Sequence, residues 1–249
     1  MSKSILITGA SSGLGEEMAR QFAAAGYDLA LCARRAGRLS ALQEEIERAH
    51  PGQRCEVRAL DVTDDDQVFE VFRAFHADLG RIDRVVVNAG LSKGAALGTG
   101  GHHANRQTAM TNFVGALAQA DAAMEIFRAQ RAGHLVVVSS MSALRGLPSA
   151  VTTYAATKAA VAHLAEGLRM ELLNTPIKVT VIYPGYIHSE MNPEGTKAPF
   201  IVSAERGVRA IVDAVEREKP RAYVPPWPWT AISHVMKHLP LPLAKRMMS

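Results

Sequence analysis

Ser4-Ile5-Leu6-Ile7-Thr8-Gly9-Ala10-Ser11-Ser12-Gly13-Leu14-Gly15 passes from an apolar run of strand character through a glycine-rich turn into a helix. Each glycine has a separate use there. Gly9 permits a tight turn, Gly13 lets the backbone approach a pyrophosphate, and Gly15 allows the helix to lie close on the sheet. The first N–H groups of a helix lack partners, and with the helix dipole they favour a negative phosphate. Strand, turn and helix in that order predict a dinucleotide site whose cradle includes Gly9, Ser11, Ser12, Gly13, Leu14 and Gly15.

Outward from this turn the same alternation repeats. Apolar strand runs are predicted over 28–33, 55–60, 82–88, 133–140 and 178–183, with a short last one over 222–224. Helical spacing fills the intervals. Leu39, Leu42 and Ile46 mark one helix, and others are predicted over 64–79, 104–131, 154–173 and 203–217. Strands with few polar positions, alternating with helices, imply a parallel sheet covered on both faces with right-handed crossovers. The expectation is an α/β fold, a single-domain Rossmann-like doubly wound parallel sheet. Residues 1–225 form its body, and 226–249 are an apolar and basic extension of the same domain.

The totals narrow the function. With 249 residues and 48% hydrophobic content, the chain can bury one large core. A net charge of +4, from 28 basic and 24 acidic residues, is too small to argue for nucleic acid, and none is expected as a partner. Cys32 and Cys55 have neither metal nor redox spacing, and His102-His103 lacks a second pair to complete a site, so no metal is expected. No apolar run is long enough for a signal peptide or a membrane span, which makes the cytoplasm the expected location.

The spacing of the turn, Gly-x-x-x-Gly-x-Gly with Thr8 in front, resembles the short-chain dehydrogenase/reductase family, and the resemblance runs from Ile5 to about Val224. The second strand ends Leu31-Cys32-Ala33-Arg34-Arg35, with no carboxylate at its tip for a ribose 2′-hydroxyl. A guanidinium can bond a 2′-phosphate through two parallel contacts, where a carboxylate would repel it. NADP(H) is therefore the expected cofactor. Arg34 resembles the family's 2′-phosphate ligand, with Arg35 assisting and Ser11 and Ser12 adding hydroxyls. The resemblance also implies adenine contacts from Asp61-Val62, and close passage of the backbone at Asn88-Ala89-Gly90. Pro184-Gly185-Tyr186-Ile187-His188-Ser189 resembles the family's turn against the nicotinamide carboxamide. Pro184, Gly185, Ile187 and Ser189 would contribute there, Ser189 standing where threonine is usual.

Tyr154 and Lys158 stand at i and i+4, so they share one helix face. A free tyrosine, with a pKa of about 10, exchanges protons poorly near neutrality, and a neighbouring ammonium group lowers that barrier by favouring the phenolate. Upstream, Val138-Ser139-Ser140 ends a strand and matches the family's catalytic serine at Ser140, whose hydroxyl would bond the substrate carbonyl oxygen. The interval from Ser140 to Tyr154 is one residue longer than the family's commonest spacing. Ser142 stays open as a substitute, and the extra residue is expected to bulge within 149–153. Asn112 matches the family's asparagine, which holds a water leading to the lysine. The resemblance thus implies an enzyme that interconverts a carbonyl and an alcohol, on a hydrophobic small molecule. Tyr154 would be its general acid/base, Lys158 would bond the nicotinamide ribose, and subunits would pair as a homodimer or homotetramer.

Two other readings stay open on the sequence. One is a non-enzymatic dinucleotide sensor, which would have no need of Ser140, Tyr154 and Lys158. The other is a membrane-surface-associated reductase of lipid-like carbonyls, and it rests on the tail. Residues 225–249 hold both tryptophans, Trp227 and Trp229, together with Lys237, Lys245 and Arg246 and no carboxylate. Prolines at 225, 226, 228, 240 and 242 exclude a spanning helix. A lid over the site, contact with an anionic membrane surface, and core packing or dimer contact are all compatible with this composition.

Overall fold

The computed structural model describes residues 3–193 and 195–248, so Ser249 at the end of the expected extension lies outside them. Among the described residues, seven strands form one parallel sheet: β1 (Ser4–Thr8), β2 (Asp28–Ala33), β3 (Cys55–Ala59), β4 (Arg84–Val87), β5 (Gly133–Val138), β6 (Ile177–Pro184) and β7 (Arg221–Val224). Their order is β3-β2-β1-β4-β5-β6-β7. The helices are α1 (Gly13–Ala24), α2 (Ala36–Ala49), α3 (Asp65–Leu79), α4 (His102–Ala109), α5 (Gly115–Gln130), α6 (Thr152–Glu171), α7 (Ala204–Glu216), α8 (Pro226–His238) and α9 (Leu241–Met248).

Both faces of the sheet are covered, as the uninterrupted apolar strands require. Ile5 and Ile7 of β1 point to a core shared with Phe22 of α1, Leu39 of α2 and Val208 of α7. Leu6, between them, points to the opposite core with Phe72 of α3, Phe127 of α5 and Val161 of α6. Cys32 and Cys55 are buried, and burial pushes both thiols up from their ordinary value, so each behaves as a small apolar side chain. The strand order reverses between β1 and β4. In an open parallel sheet, that reversal leaves a crevice outside the carboxyl ends of the strands, where ligands bind.

The amino end of the sheet is closed by polar contacts instead. Asp83 accepts the backbone N–H of Ser4 at 2.9 Å, Arg54 pairs with Asp28 at 3.0 Å, and buried Arg84 lies 3.5 Å from Glu216. The tail forms α8 and α9, helices not among the expected elements, and the helix read over 104–131 is interrupted. A π-helical turn at Met110–Val114 separates α4 from α5. Within this turn the Asn112 side chain accepts from the N–H of Leu91 and donates to the Leu91 carbonyl, both at 2.8 Å. Single π turns of this kind are frequent where a side chain must be re-aimed at a functional site.

Candidate active site

The glycine turn is shaped by contacts that no side chain would survive. Gly9 and Gly13 have φ of 66° and 56°, in the left-handed region that favours glycine. A Cβ at Gly15 would stand 2.3 Å from the Gly9 carbonyl oxygen, so α1 starts hard against the turn. Ser12 occupies the N-cap with extended backbone but makes no side-chain cap bond, which leaves the first turn of α1 uncapped. A backbone cradle ending in an uncapped helix start fits the phosphates of a dinucleotide. Thr8 fixes the turn to the next strand: its hydroxyl accepts from the N–H groups of Asn88 and Ala89, both at 3.1 Å. Asn88 closes the junction by donating to the Thr8 carbonyl at 2.9 Å.

The two arginines expected at the tip of β2 are placed differently. Arg34 is exposed. Arg35 folds back over the turn and donates to Ser11 Oγ at 3.1 Å and to Ser12 Oγ at 2.5 Å. Its guanidinium also meets Glu190, from the segment after β6, at 3.0 Å, and Arg38 pairs with the same carboxylate. Hydrogen bonds from Arg35 and Arg38 hold the Glu190 carboxyl down to about 2. Asp61 accepts from the N–H and hydroxyl of Thr63 at 3.0 and 2.8 Å, stiffening the bend where β3 ends, while Val62 is buried beside Gly115.

Asn88-Ala89-Gly90 links this cradle to a second group of residues. A Cβ on Gly9 would stand 2.9 Å from Ala89 Cα, and one on Gly90 would stand 3.2 Å from Asn112 Oδ1 and 3.4 Å from Lys158 Nζ. Lys158, buried, donates to the Val138 carbonyl at 2.9 Å and lies 5.9 Å from the centre of the Tyr154 ring. Burial pushes its ammonium group down to about 8. Burial pushes the Tyr154 phenol up, and a hydrogen bond with Ser140 acts against that rise. Ser140 also caps the turn at Met141–Leu144, accepting from the Ser142 N–H at 3.1 Å. The Ser142 hydroxyl is buried without a partner among the described residues. A 3-10 turn at Ser149–Val151, with Ser149 at a φ of 64°, fills part of the segment expected to hold the extra residue.

The segment after β6 closes the remaining side. Ser189 Cβ lies 3.2 Å from where a Cβ on Gly13 would be, which brings this segment to the phosphate turn. Ile187 is buried and bridges to Val202. Gly185, just beyond Pro184 at the end of β6, leaves space for the indole of Trp229, which a Cβ there would strike at 2.0 Å. Tyr186 and Phe200 meet Trp229 edge-on, with ring centres at 5.7 and 6.3 Å. His102 and His103 are exposed at the start of α4, and no cluster of three potential metal ligands occurs among the described residues.

The pairing of Arg38 with Glu190 and the position of Thr157 are not legible in the sequence, whereas Trp229 beside Gly185 belongs to the tail, for which the sequence leaves a lid open. Thr157 accepts from Asn112 Nδ2 at 3.3 Å, and its neighbourhood to Tyr154 was the available signal. The ion pair had none, because its partners are more than 150 positions apart.

Residues 3–199 match the model of the short chain dehydrogenase family. An uncharacterized oxidoreductase of Mycobacterium tuberculosis is 48% identical over 242 residues, covering 97% of this chain and 96% of the relative. A short-chain dehydrogenase from Sphingobium yanoikuyae, solved in complex with NADPH, is 26% identical with a TM-score of 0.82, over 95% of this chain and 94% of that one. A short-chain dehydrogenase/reductase from Burkholderia phymatum, solved in complex with NAD, shares the fold at 21% identity, with a TM-score of 0.84 over 94% and 92% of the two chains.

Proposed function

Because the chain belongs to the short-chain dehydrogenase/reductase family, and so is an oxidoreductase of C=O and CH–OH groups with a nicotinamide dinucleotide site, we propose that it is an NADP(H)-linked reductase of apolar carbonyl compounds. The observation that carries this reading is the junction at Asn88-Ala89-Gly90, which adjoins the glycine turn on one side and Lys158 on the other. Arg35 and the serine hydroxyls supply donors for a 2′-phosphate, with Arg34 at the same rim. The bound dinucleotide would supply hydride transfer at the carbonyl carbon.

The chain's own residues handle the oxygen and its proton. Ser140 donates to the carbonyl oxygen and stabilises the charge that grows there. Tyr154 gives that oxygen its proton, and burial favours the protonated phenol needed for this direction. Lys158 in its ammonium form makes the phenol a stronger acid. Asn112 holds Leu91 and the π turn in place behind the lysine. The rings of Tyr186, Phe200 and Trp229 favour an apolar substrate at the mouth.

Tyr154→Phe tests the mechanism. Turnover should fall roughly 10²–10⁴-fold, as for loss of a positioned acid, while NADPH binding and the thermal midpoint stay near those of the parent. Unchanged turnover in the folded variant would remove Tyr154 from the chemistry.

A further inference from the structure

The loops that follow β4, β5, β6 and β7 share the carboxyl end of the sheet, and they turn large apolar side chains outward. Leu97, Val151, Tyr186, Met191, Phe200 and Trp227 are exposed there, Leu97 by 73% and Trp227 by 77%. The loops carrying them meet: Gly94 after β4 lies against the Ala150 carbonyl after β5, and Tyr186 and Phe200 after β6 share Trp229 after β7. The tail extends this surface. Trp229, Ile232 and Met236 turn the inner side of α8 to the core, while Val235 faces out, as do Leu241 and Leu243 of α9. Elsewhere among the described residues, the large exposed apolar side chains are Leu117, Met170 and Leu173, on or next to α5 and α6. A group of this size at one end marks a contact surface, whereas single exposed apolar residues do not.

Its charge selects the occupant. The four segments contain Lys93, Lys197, Lys237, Lys245 and Arg246, besides Arg145, which donates to the Met236 carbonyl, against two acids, Glu190 and Glu194. Glu190 is already engaged by Arg35 and Arg38. A second copy of the chain would bring the same positive charge face to face, which disfavours self-association. An anionic bilayer surface satisfies both requirements, with aromatic and aliphatic side chains at the headgroup level and cations against the phosphates. No helix among the described residues is long and apolar enough to cross a membrane, so the contact is peripheral.

We propose that this end of the protein docks on an anionic lipid surface, so that an apolar carbonyl compound dissolved in the lipid enters the mouth directly. The substrate half rests on the reductase reading, and the docking half does not. The test is sedimentation of the full-length protein with vesicles of phosphatidylcholine alone and of phosphatidylcholine mixed with phosphatidylglycerol. Binding to the mixed vesicles that weakens in high salt is expected. Trp227→Ser with Leu241→Ser, and separately Lys237→Glu with Arg246→Glu, should each weaken it at least about fivefold per side chain. Circular dichroism and NADPH binding, unchanged in both pairs, show that the variants are folded. Parent protein that stays in the supernatant with mixed vesicles overturns the docking, as does equal binding to both vesicle types that neither pair alters. Variants that only split an oligomer, with no vesicle binding by the parent, would assign the surface to contact between copies. A long-chain ketone carried in mixed vesicles should be reduced several-fold more slowly by the tryptophan–leucine pair, with a short water-soluble ketone unaffected. Equal loss on both ketones overturns entry from the lipid, and absence of turnover on either by the parent fails the reductase reading alone.

Discussion

The two ends of the sheet are built from opposite materials. At the amino end, charged side chains stitch neighbouring elements together: Asp83 to Ser4, Arg54 to Asp28, Arg84 to Glu216. At the carboxyl end, close approach of backbone to backbone does much of that work, with Gly15 against Gly9 and Gly9 against Ala89, and the charged pairing is confined to Arg35 and Arg38 with Glu190 at the rim. Aromatic side chains then wall the mouth. The polar end spends its hydrogen-bonding groups on itself. The other end keeps an uncapped helix start, the neighbours Ser140, Tyr154 and Lys158, and an apolar rim facing outward.

The largest effect that would break this contrast is on the wall. Trp229 is buried against Gly185, and Trp229→Ala should cost about 3–5 kcal/mol of unfolding free energy, the range for a large core aromatic. A cost below about 1 kcal/mol in urea unfolding, roughly a tenth of a typical domain stability, would show that the tail is a loose cover and no part of the wall.

Lys158 gives the next largest effect, and its sign can be worked out. Its folded value of about 8 lies below the ordinary lysine value near 10.4. Between those values the unfolded chain holds a proton that the folded chain has released, so stability rises with pH, by up to roughly 3 kcal/mol. The raised Tyr154 phenol opposes the rise only at the upper edge of that window, where the unfolded tyrosine begins to ionise near pH ~10. In cofactor-free protein, urea midpoints should climb across the window, and Lys158→Met should flatten the climb. Catalysis runs the other way: reduction should slow as pH rises through about 8, because the phenol loses its neighbouring ammonium. A flat midpoint in the parent would mean that water reaches the lysine.

The smallest effects sharpen the rim. Arg35→Ala removes charge-assisted bonds worth about 1.5–3 kcal/mol, so NADPH should bind roughly ten- to a hundredfold more weakly with NADH little changed. Glu190→Gln frees Arg35 and Arg38 from an exposed carboxylate and should tighten NADPH by up to about fivefold. Titration by nucleotide fluorescence reads both. If Arg34→Asp weakens NADPH strongly and the Arg35 and Glu190 variants do not, the 2′-phosphate belongs to Arg34.

Much of the carboxyl end was legible because backbone geometry imposes fixed spacing. Gly9, Gly13 and Gly15 can be read as a set, and Tyr154 with Lys158 as neighbours on one helix face, since each pattern arises within a few residues. The same holds for the alternation of strands and helices, which implied a parallel sheet covered on both faces. What escaped was built from side chains distant in sequence. Nothing near Asn112 announces that its amide will grip Leu91 from within a π turn. Glu190 meets Arg35 and Arg38 only because two loops converge above the turn. The tail composition allowed a lid, a lipid contact or core packing. The structure divides these by face, since Trp229 and Ser233 are buried while Trp227 and Val235 are exposed.

The most direct measurement is steady-state turnover of the purified protein with NADPH and NADH side by side, over a panel of apolar ketones, aldehydes, quinones and acyl-chain carbonyls. NADPH should be consumed with at least one of them, at a kcat/KM more than about tenfold above that with NADH, as loss or gain of one charge-assisted phosphate contact implies. Equal use of the two cofactors, a preference for NADH, or consumption of neither would contradict the account.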